Sequence, residues 1–246
     1  MANNDVKMEI CKRGAAKFAR DHGQPILLCP ADDRVASSCG LIEDANLRSK
    51  KVSWLSKHDK NCAGLFGMLP LVRGLPVFLT THIDRSEKGL LRGRAGILED
   101  WELHPKDKAQ APFTKDHTLK HMPKCLYVKF YDIVDGKKVA PAWSIGSMDN
   151  GVYCVGPTPE YWHLDAKANH PHMKIRRNQM PVAPDFGRTA YSMQGFTLPA
   201  GKVDLNLSAH ADPATGYVAM SRFKKADDVL IIQACLLEHA CVGAWC

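Results

Sequence analysis

Apolar and polar positions recur with two different periods along this chain, and the change of period divides it. Residues 5 to 22 place Ile10, Cys11, Gly14, Ala15 and Phe18 on one helical face, and the pattern stops at Gly23. After Gln24-Pro25 comes Ile26-Leu27-Leu28-Cys29, a short continuous apolar run suited to a buried parallel strand. Pro30-Ala31-Asp32-Asp33-Arg34 then reads as a loop and a helix start, because Asp32 or Asp33 can cap free N–H groups. A helix, a buried strand and a loop into a further helix open an α/β layer.

The stretch from Arg48 to Lys60 is basic and carries Trp54 and His58; it reads as a solvated face with one aromatic anchor. Beyond it the period shortens. Leu75-Pro76-Val77-Phe78-Leu79-Thr80 is strand-like, and Gly89 to Leu98 is extended and punctuated by glycine. Leu126, Val128 and Phe130 alternate with Tyr127, Lys129 and Tyr131, as in a half-buried strand. Asp135-Gly136 supplies the residues of a tight hairpin turn, and Val152-Tyr153-Cys154-Val155 ends the run. Short strands with turn signals predict a small β-barrel or sheet set into the α/β layer. Residues 103 to 123 are polar with Pro105, Pro112 and Pro123, and predict a long loop. The α/β pattern resumes after Pro157, with Val203-Asp204-Leu205 and the apolar run Val229-Leu230-Ile231-Ile232 as strands.

Composition narrows the picture modestly. At 246 residues, 45% apolar and 24% charged, the chain has the makeup of a globular protein with a real core. No apolar run approaches the ~18 residues of a membrane span, and the polar start Met1-Ala2-Asn3-Asn4-Asp5 is unlike a secretory signal. The nine scattered cysteines fit reduced thiols, and hence the cytoplasm or nucleus. A formal charge of +7 suits a polyanionic partner and equally a solvated basic surface. His163, His170 and His172, and Cys235, His239, Cys241 and Cys246, form two clusters without the tight C-x-x-C pairs of zinc sites, so no metal is expected. No G-x-S-x-G is present to support serine hydrolysis.

The chemistry concentrates near the C-terminus. Pro181 to Leu198 reads PVAPDFGRTAYSMQGFTL, with Thr189, Gln194, Gly195 and Thr197 in a helix-then-turn pattern that lets a phosphate backbone come close. Tyr217-Val218-Ala219-Met220-Ser221-Arg222 follows, then the strand from Val229. This order and spacing resembles the last two motifs of superfamily-one helicases of the PIF/RecD type, whose usual forms are T-x-H-K-x-Q-G and Y-V-A-L-S-R. Three weaker likenesses accompany it: Leu28-Cys29-Pro30-Ala31 for a strand ending in C-P-T, and residues 75 to 96 for the L-P-V-x-L and G-L-x-N-G-x-x-G of an SH3-like module. The third is Ile175 to Pro181 for a basic strand R-x-Q-x-P. Arg92 stands where that module has Asn, while the glycines are kept.

The resemblance implies an α/β, RecA-like parallel-sheet domain of the P-loop NTPase type, interrupted by a small SH3-like β-barrel. Residues 1–66 and 157–234 would form the second RecA-like domain, 67–156 the insert, and 235–246 a cysteine-bearing tail. It implies that Arg222 reaches across a cleft to the γ-phosphate, a task suited to a permanent, forked charge. Gln194, with Gly195, would link the nucleotide to the nucleic acid, and Thr189, Tyr191, Ser192, Arg176 and Arg177 would contact a single strand, with DNA favoured. Tyr191-Ser192 replaces the family's His-Lys, removing one phosphate-neutralising charge; Tyr191 suits either stacking on a base or packing in a core. The phosphate-cradling G-x-x-x-x-G-K-[ST] is absent from the chain. ATP and Mg²⁺ are therefore expected only with a P-loop-bearing half, in cis or in trans, and in a setting of DNA repair or recombination. A lapsed nucleic-acid-binding remnant and a purely structural or interaction domain are the alternatives.

Overall fold

The computed structural model describes residues 4–36, 45–134, 137–164, 173–193, 197–205 and 214–233. In chain order the elements begin with helix α1 (Asn4–Asp21), strands β1 (Leu27–Pro30) and β2 (Asp32–Val35), helix α2 (Ala45–Leu55), and strands β3 (Met68–Leu71), β4 (Leu75–Leu79) and β5 (Ala95–Glu102). Then come helix α3 (Pro105–Lys108) and strands β6 (His117–Thr118), β7 (Cys125–Phe130), β8 (Asp132–Val134), β9 (Lys137–Val139) and β10 (Val152–Val155). Strands β11 (Thr158–His163), β12 (Lys174–Gln179), β13 (Val182–Pro184) and β14 (Gly201–Asp204), helix α4 (Ala214–Met220) and strand β15 (Val229–Gln233) complete the order. Two compact units result, Cys11–Phe186 and a second one of residues 1–10 with 187–246.

Within the larger unit, α1 buries Cys11, Ala15 and Ala19, the stripe expected from its period. Gly14 lies on the same face, where a Cβ would collide with the Phe186 ring. The helix ends at Gly23, whose φ of 60° suits a glycine cap, and Gln24 N–H donates back to the Ala19 carbonyl at 2.9 Å. Strand β1 buries Leu27 and Cys29 but leaves Leu28 and Pro30 half-buried, and it pairs parallel with β6, while its other neighbour β3 runs antiparallel. The predicted long loop 103–123 contains α3 and β6.

The predicted small β region is a five-stranded antiparallel sheet in the order β10-β7-β5-β4-β13. Its alternation is the one read from the sequence: Leu75, Val77 and Leu79 of β4, and Leu126, Val128 and Phe130 of β7, all face inward. Among the described residues this sheet does not close into a barrel, and its last strand, β13, comes from beyond residue 156. Gly96 of β5 is required by close approach, since a Cβ there would meet Val128 and the Lys129 carbonyl. The turn Asp135-Gly136 lies outside the described residues, but the flanking β8 and β9 pair antiparallel around it.

A three-stranded antiparallel sheet, β11-β12-β2, forms the remaining wall. Here the structure corrects the expectation for residues 32–34, which form a strand and not a helix start. The cause is Asp33, which points inward to a buried cation, so that Asp32 and Arg34 alternate outward as in any strand. Beneath this sheet Trp54, Cys62, Trp162 and Ile175 form one cluster, with the two indoles edge to face at 6.1 Å. Trp54 is thus the anchor expected of the basic stretch.

In the smaller unit β14 and β15 pair in parallel, as an α/β layer requires. Strand β15 was expected to be buried; instead Leu230, Ile231 and Ile232 are 57%, 45% and 56% exposed. Among the described residues β14 is its one strand partner. Among the described residues, too, no helix is long and apolar enough to cross a membrane.

Candidate nucleotide and nucleic-acid site

The two C-terminal motif stretches are brought together by backbone contacts. Thr189 precedes a short 3-10 turn, Tyr191–Met193, and satisfies one of its orphan donors. Its Oγ1 accepts the Ser192 N–H at 3.3 Å, and Ser192 Oγ donates to the Thr189 carbonyl at 2.8 Å. This turn packs on α4, the helix that ends in Ser221-Arg222. The chain after Gly195 then runs beside that helix end. Leu198 N–H donates to the Arg222 carbonyl at 2.8 Å, and Leu198 forms a parallel bridge with Phe223. Thr189, Ser192 and Arg222 therefore sit on connected elements of one unit, while Gln194, Gly195 and the side chain of Tyr191 lie outside what the structure describes.

Arg222 is half-buried and folded onto its own helix. Its Nε donates to the Val218 carbonyl at 3.1 Å and one terminal nitrogen to Ser221 Oγ at 2.9 Å. A cation at a helix C-terminus satisfies orphan carbonyls and is favoured by the helix dipole. The interaction is local and partly wet, so the guanidinium can exchange it for a phosphate without breaking a core contact. Tyr217, at the head of the same motif, is 71% exposed.

The basic strand is a different case. Arg177, expected to follow a sugar-phosphate backbone, is fully buried. Its Nε and Nη2 hold both carboxylate oxygens of Asp33 at 2.8 and 2.7 Å, and its remaining donors reach the Leu65 and Trp54 carbonyls. The guanidinium also lies over the Trp162 ring at 5.6 Å. All three nitrogens of this fork are engaged inside the protein and the group is fully buried, so Arg177 does not face a phosphate. Gln179 is equally inward: its amide nitrogen donates to the Cys29 and Phe66 carbonyls, both at 3.1 Å, and its oxygen accepts the Met180 N–H. The R-x-Q pattern is a device that joins β12 to β1, β2 and the segment after α2.

Arg176 alternates to the opposite face and is partly exposed. It stands in register with Tyr161 on one side and Arg34 on the other. Tyr161, Arg34 and Lys174 lie on the same face, as the alternation around the buried Trp162 and Ile175 places them. His163 is exposed on the same sheet, while His170, His172 and the tail Cys235, His239, Cys241 and Cys246 lie outside the described residues. Among the described residues no group of three potential ligands is placed to hold a metal. Cys29 and Cys62 are buried free thiols, pushed by burial to pKa values of about 12 and about 11, and are chemically quiet.

No family model matches this sequence, and no curated protein matches it. Solved structures do. The Pif1 helicase from Candida albicans superposes with a TM-score of 0.54 at 17% identity, over 94% of this chain and 44% of that one. Pif1 from Bacteroides in complex with ADP-AlF3 and ssDNA matches at a TM-score of 0.44 and 14% identity, over 90% of this chain and 37% of that one. Bacteroides sp Pif1 in complex with ADP-AlF4 matches at 0.40 and 16%, over 90% and 38%. The first of these shows a fold similar to the mixed α/β fold of part of a Pif1 helicase, and the chain spans under half the length of all three structures. The bacterial matches, below a TM-score of 0.5, add nothing to that assignment.

Proposed function

We propose that this chain is the C-terminal motor portion of an ATP-dependent DNA helicase, working with a P-loop-bearing half in cis or in trans. The observation that carries the reading is the junction of the two motif stretches, where Leu198 N–H binds the Arg222 carbonyl. A motor of this kind needs its strand-contacting turn and its nucleotide-facing arginine to move as one piece, and this bond ties them. In this reading Arg222 leaves its helix end to meet the γ-phosphate of ATP·Mg²⁺, and Gln194 and Gly195 line the nucleotide side. Thr189, Tyr191, Ser192 and Arg176 face a single DNA strand; Arg177 is withdrawn from that set. Residues 67–156 serve as an SH3-like insert between the two parts of a RecA-like domain, 1–66 and 157–234, in a protein of the nucleus or cytoplasm.

A second reading is favoured by the Arg222 and Ser192 geometry: a remnant that binds strands but no longer drives hydrolysis. Arg222 is held by its own helix, and Ser192 stands where the related motif has a lysine. Substitution of Arg222 in an assembly that contains a P-loop half separates the two. Arginine fingers are worth ~10³ to 10⁵ in rate where best measured. Arg222→Ala should therefore abolish strand-stimulated ATP hydrolysis with strand affinity nearly unchanged. A folded Arg222→Ala protein that retains full stimulated hydrolysis would remove the arginine from the nucleotide site.

A further inference from the structure

The outward face of the β11-β12-β2 sheet carries an arrangement of which the motor reading uses Arg176 alone. Three cross-strand rows can be read from the register. Tyr161, Arg176 and Arg34 form the middle row, His163 and Lys174 the row on one side, and Pro159, Asn178 and Asp32 the row on the other. Tyr161 is 49% exposed, and the Arg34 side chain 64%. Lys174 Nζ lies 4.6 Å from the centre of the Tyr161 ring. Asp32 is the one carboxylate in these rows, and it pairs with Arg34 at 2.9 Å. Among the described residues the face is therefore net positive around an exposed aromatic ring.

Two features of this face suit an added partner. Arg34 and Arg176 stand directly opposite each other, where like charges repel, and the one carboxylate in the rows, Asp32, is held by Arg34 and leaves Arg176 to its neighbour's charge. Tyr161 exposes a large ring although the same strand buries Trp162. An anion over the two guanidinium groups relieves the first, and a flat apolar partner on the ring relieves the second. A single-stranded nucleic acid supplies both together, because its phosphates neutralise the cations while its bases stack on aromatic and guanidinium planes. An acidic protein segment would use the charges and leave the tyrosine idle.

We propose that this sheet face is a docking platform for single-stranded nucleic acid, with Tyr161 stacking on a base and Arg34, Arg176 and Lys174 contacting phosphates. It rests on the reading of the chain as strand-binding and extends it from Arg176 to a whole sheet face within residues 11–186. The platform does not need ATP, a P-loop half or Arg222.

Fluorescence anisotropy of a labelled oligothymidylate, titrated with the full chain without nucleotide, tests it. Tyr161→Ala should weaken binding roughly 5- to 100-fold, the range of one stacked base, and Tyr161→Phe should bind like the wild type. On an abasic strand of equal length, Tyr161→Ala should change nothing. Arg34→Gln and Arg176→Gln should each flatten the dependence of log K on log salt by about 0.7. Thermal melting first establishes that each variant is folded. A folded Tyr161→Ala that binds with unchanged affinity overturns the platform, as does an equal loss on the abasic strand or Tyr161-dependent binding of polyglutamate instead. If Thr189→Ala and Ser192→Ala weaken binding while Tyr161→Ala does not, the platform fails and the motor reading stands. If the wild type binds no strand at low salt the platform also fails, and the motor reading is judged separately on Arg222 and ATP hydrolysis.

Discussion

The two units of this protein treat their arginines in opposite ways. In the larger unit Arg177 is locked in the core by Asp33, two carbonyls and an indole. In the smaller unit Arg222 rests on the end of its own short helix, bonded to one carbonyl and one hydroxyl. The contrast extends to their surroundings. Leu65, Leu69, Leu71, Leu75, Leu79 and Leu98 are fully buried in the first, whereas α4 of the second buries none of its residues and β15 shows its apolar side chains to solvent. The sequence likeness is greatest where the packing is least. A motif kept for contact with a nucleotide or a strand need not be part of a core, and a basic strand that looks suited to phosphate can be the core's own fastening.

That contrast can be broken by substitution. The largest effect on stability should come from Arg177→Ala, which leaves Asp33 buried without a counter-charge; such losses run about 3–5 kcal/mol. Thermal or urea unfolding measures it, and a variant as stable as the wild type would mean that Arg177 is not the fastening described. Replacing both Arg177 and Asp33 with apolar residues of similar volume should recover much of the loss.

A smaller effect, sharpened by pH, concerns Asp107. Burial alone would raise the pKa of this carboxyl, but the N–H and ring of His121, with the Lys120 N–H, outweigh it and hold the pKa below its usual value. A carboxylate lowered in the fold contributes stability that is present above its unfolded pKa of about 3.9 and is lost as pH falls through the folded value. The melting temperature of the wild type should therefore exceed that of Asp107→Asn near neutral pH, and the gap should close below about pH 4. A gap that persists unchanged into acid would assign the loss to packing instead. The smallest effect should be that of Leu230→Thr on exposed β15, within about 0.5 kcal/mol. A loss several times larger would show that this strand is covered in solution.

Much of the fold was legible because apolar period is a local property. The stripe of α1, the runs of β1 and β4, and the alternation of β7 all appear where the sequence places them. Strand β2 was not legible, because Asp32-Asp33-Arg34 has the composition of a cap or turn. What makes it a strand is Arg177, 144 residues away in sequence. The same long-range pairing hid the inward direction of Arg177, since a charge on a strand reads as solvent-facing until its partner is known. Strand β6 and helix α3, at two and four residues, are too short to leave a period. For the candidate site, residue types and order were readable at Thr189, Ser192 and Arg222. The bond from Leu198 to the Arg222 carbonyl was not, because a backbone contact leaves no trace in side-chain chemistry. Tyr161 was overlooked because its neighbour Trp162 draws attention to the buried face.

The central claim is that this chain completes a motor whose phosphate-binding loop lies elsewhere, and reconstitution tests it most directly. ATP hydrolysis would be measured for the purified chain alone, then with a P-loop-bearing Pif1-type half, with and without single-stranded DNA. The account predicts no turnover above background from the chain alone, because it has no loop and lysine to cradle the phosphates, and strand-stimulated turnover from the pair. Strand-stimulated hydrolysis by the chain alone, surviving removal of contaminants, would contradict it.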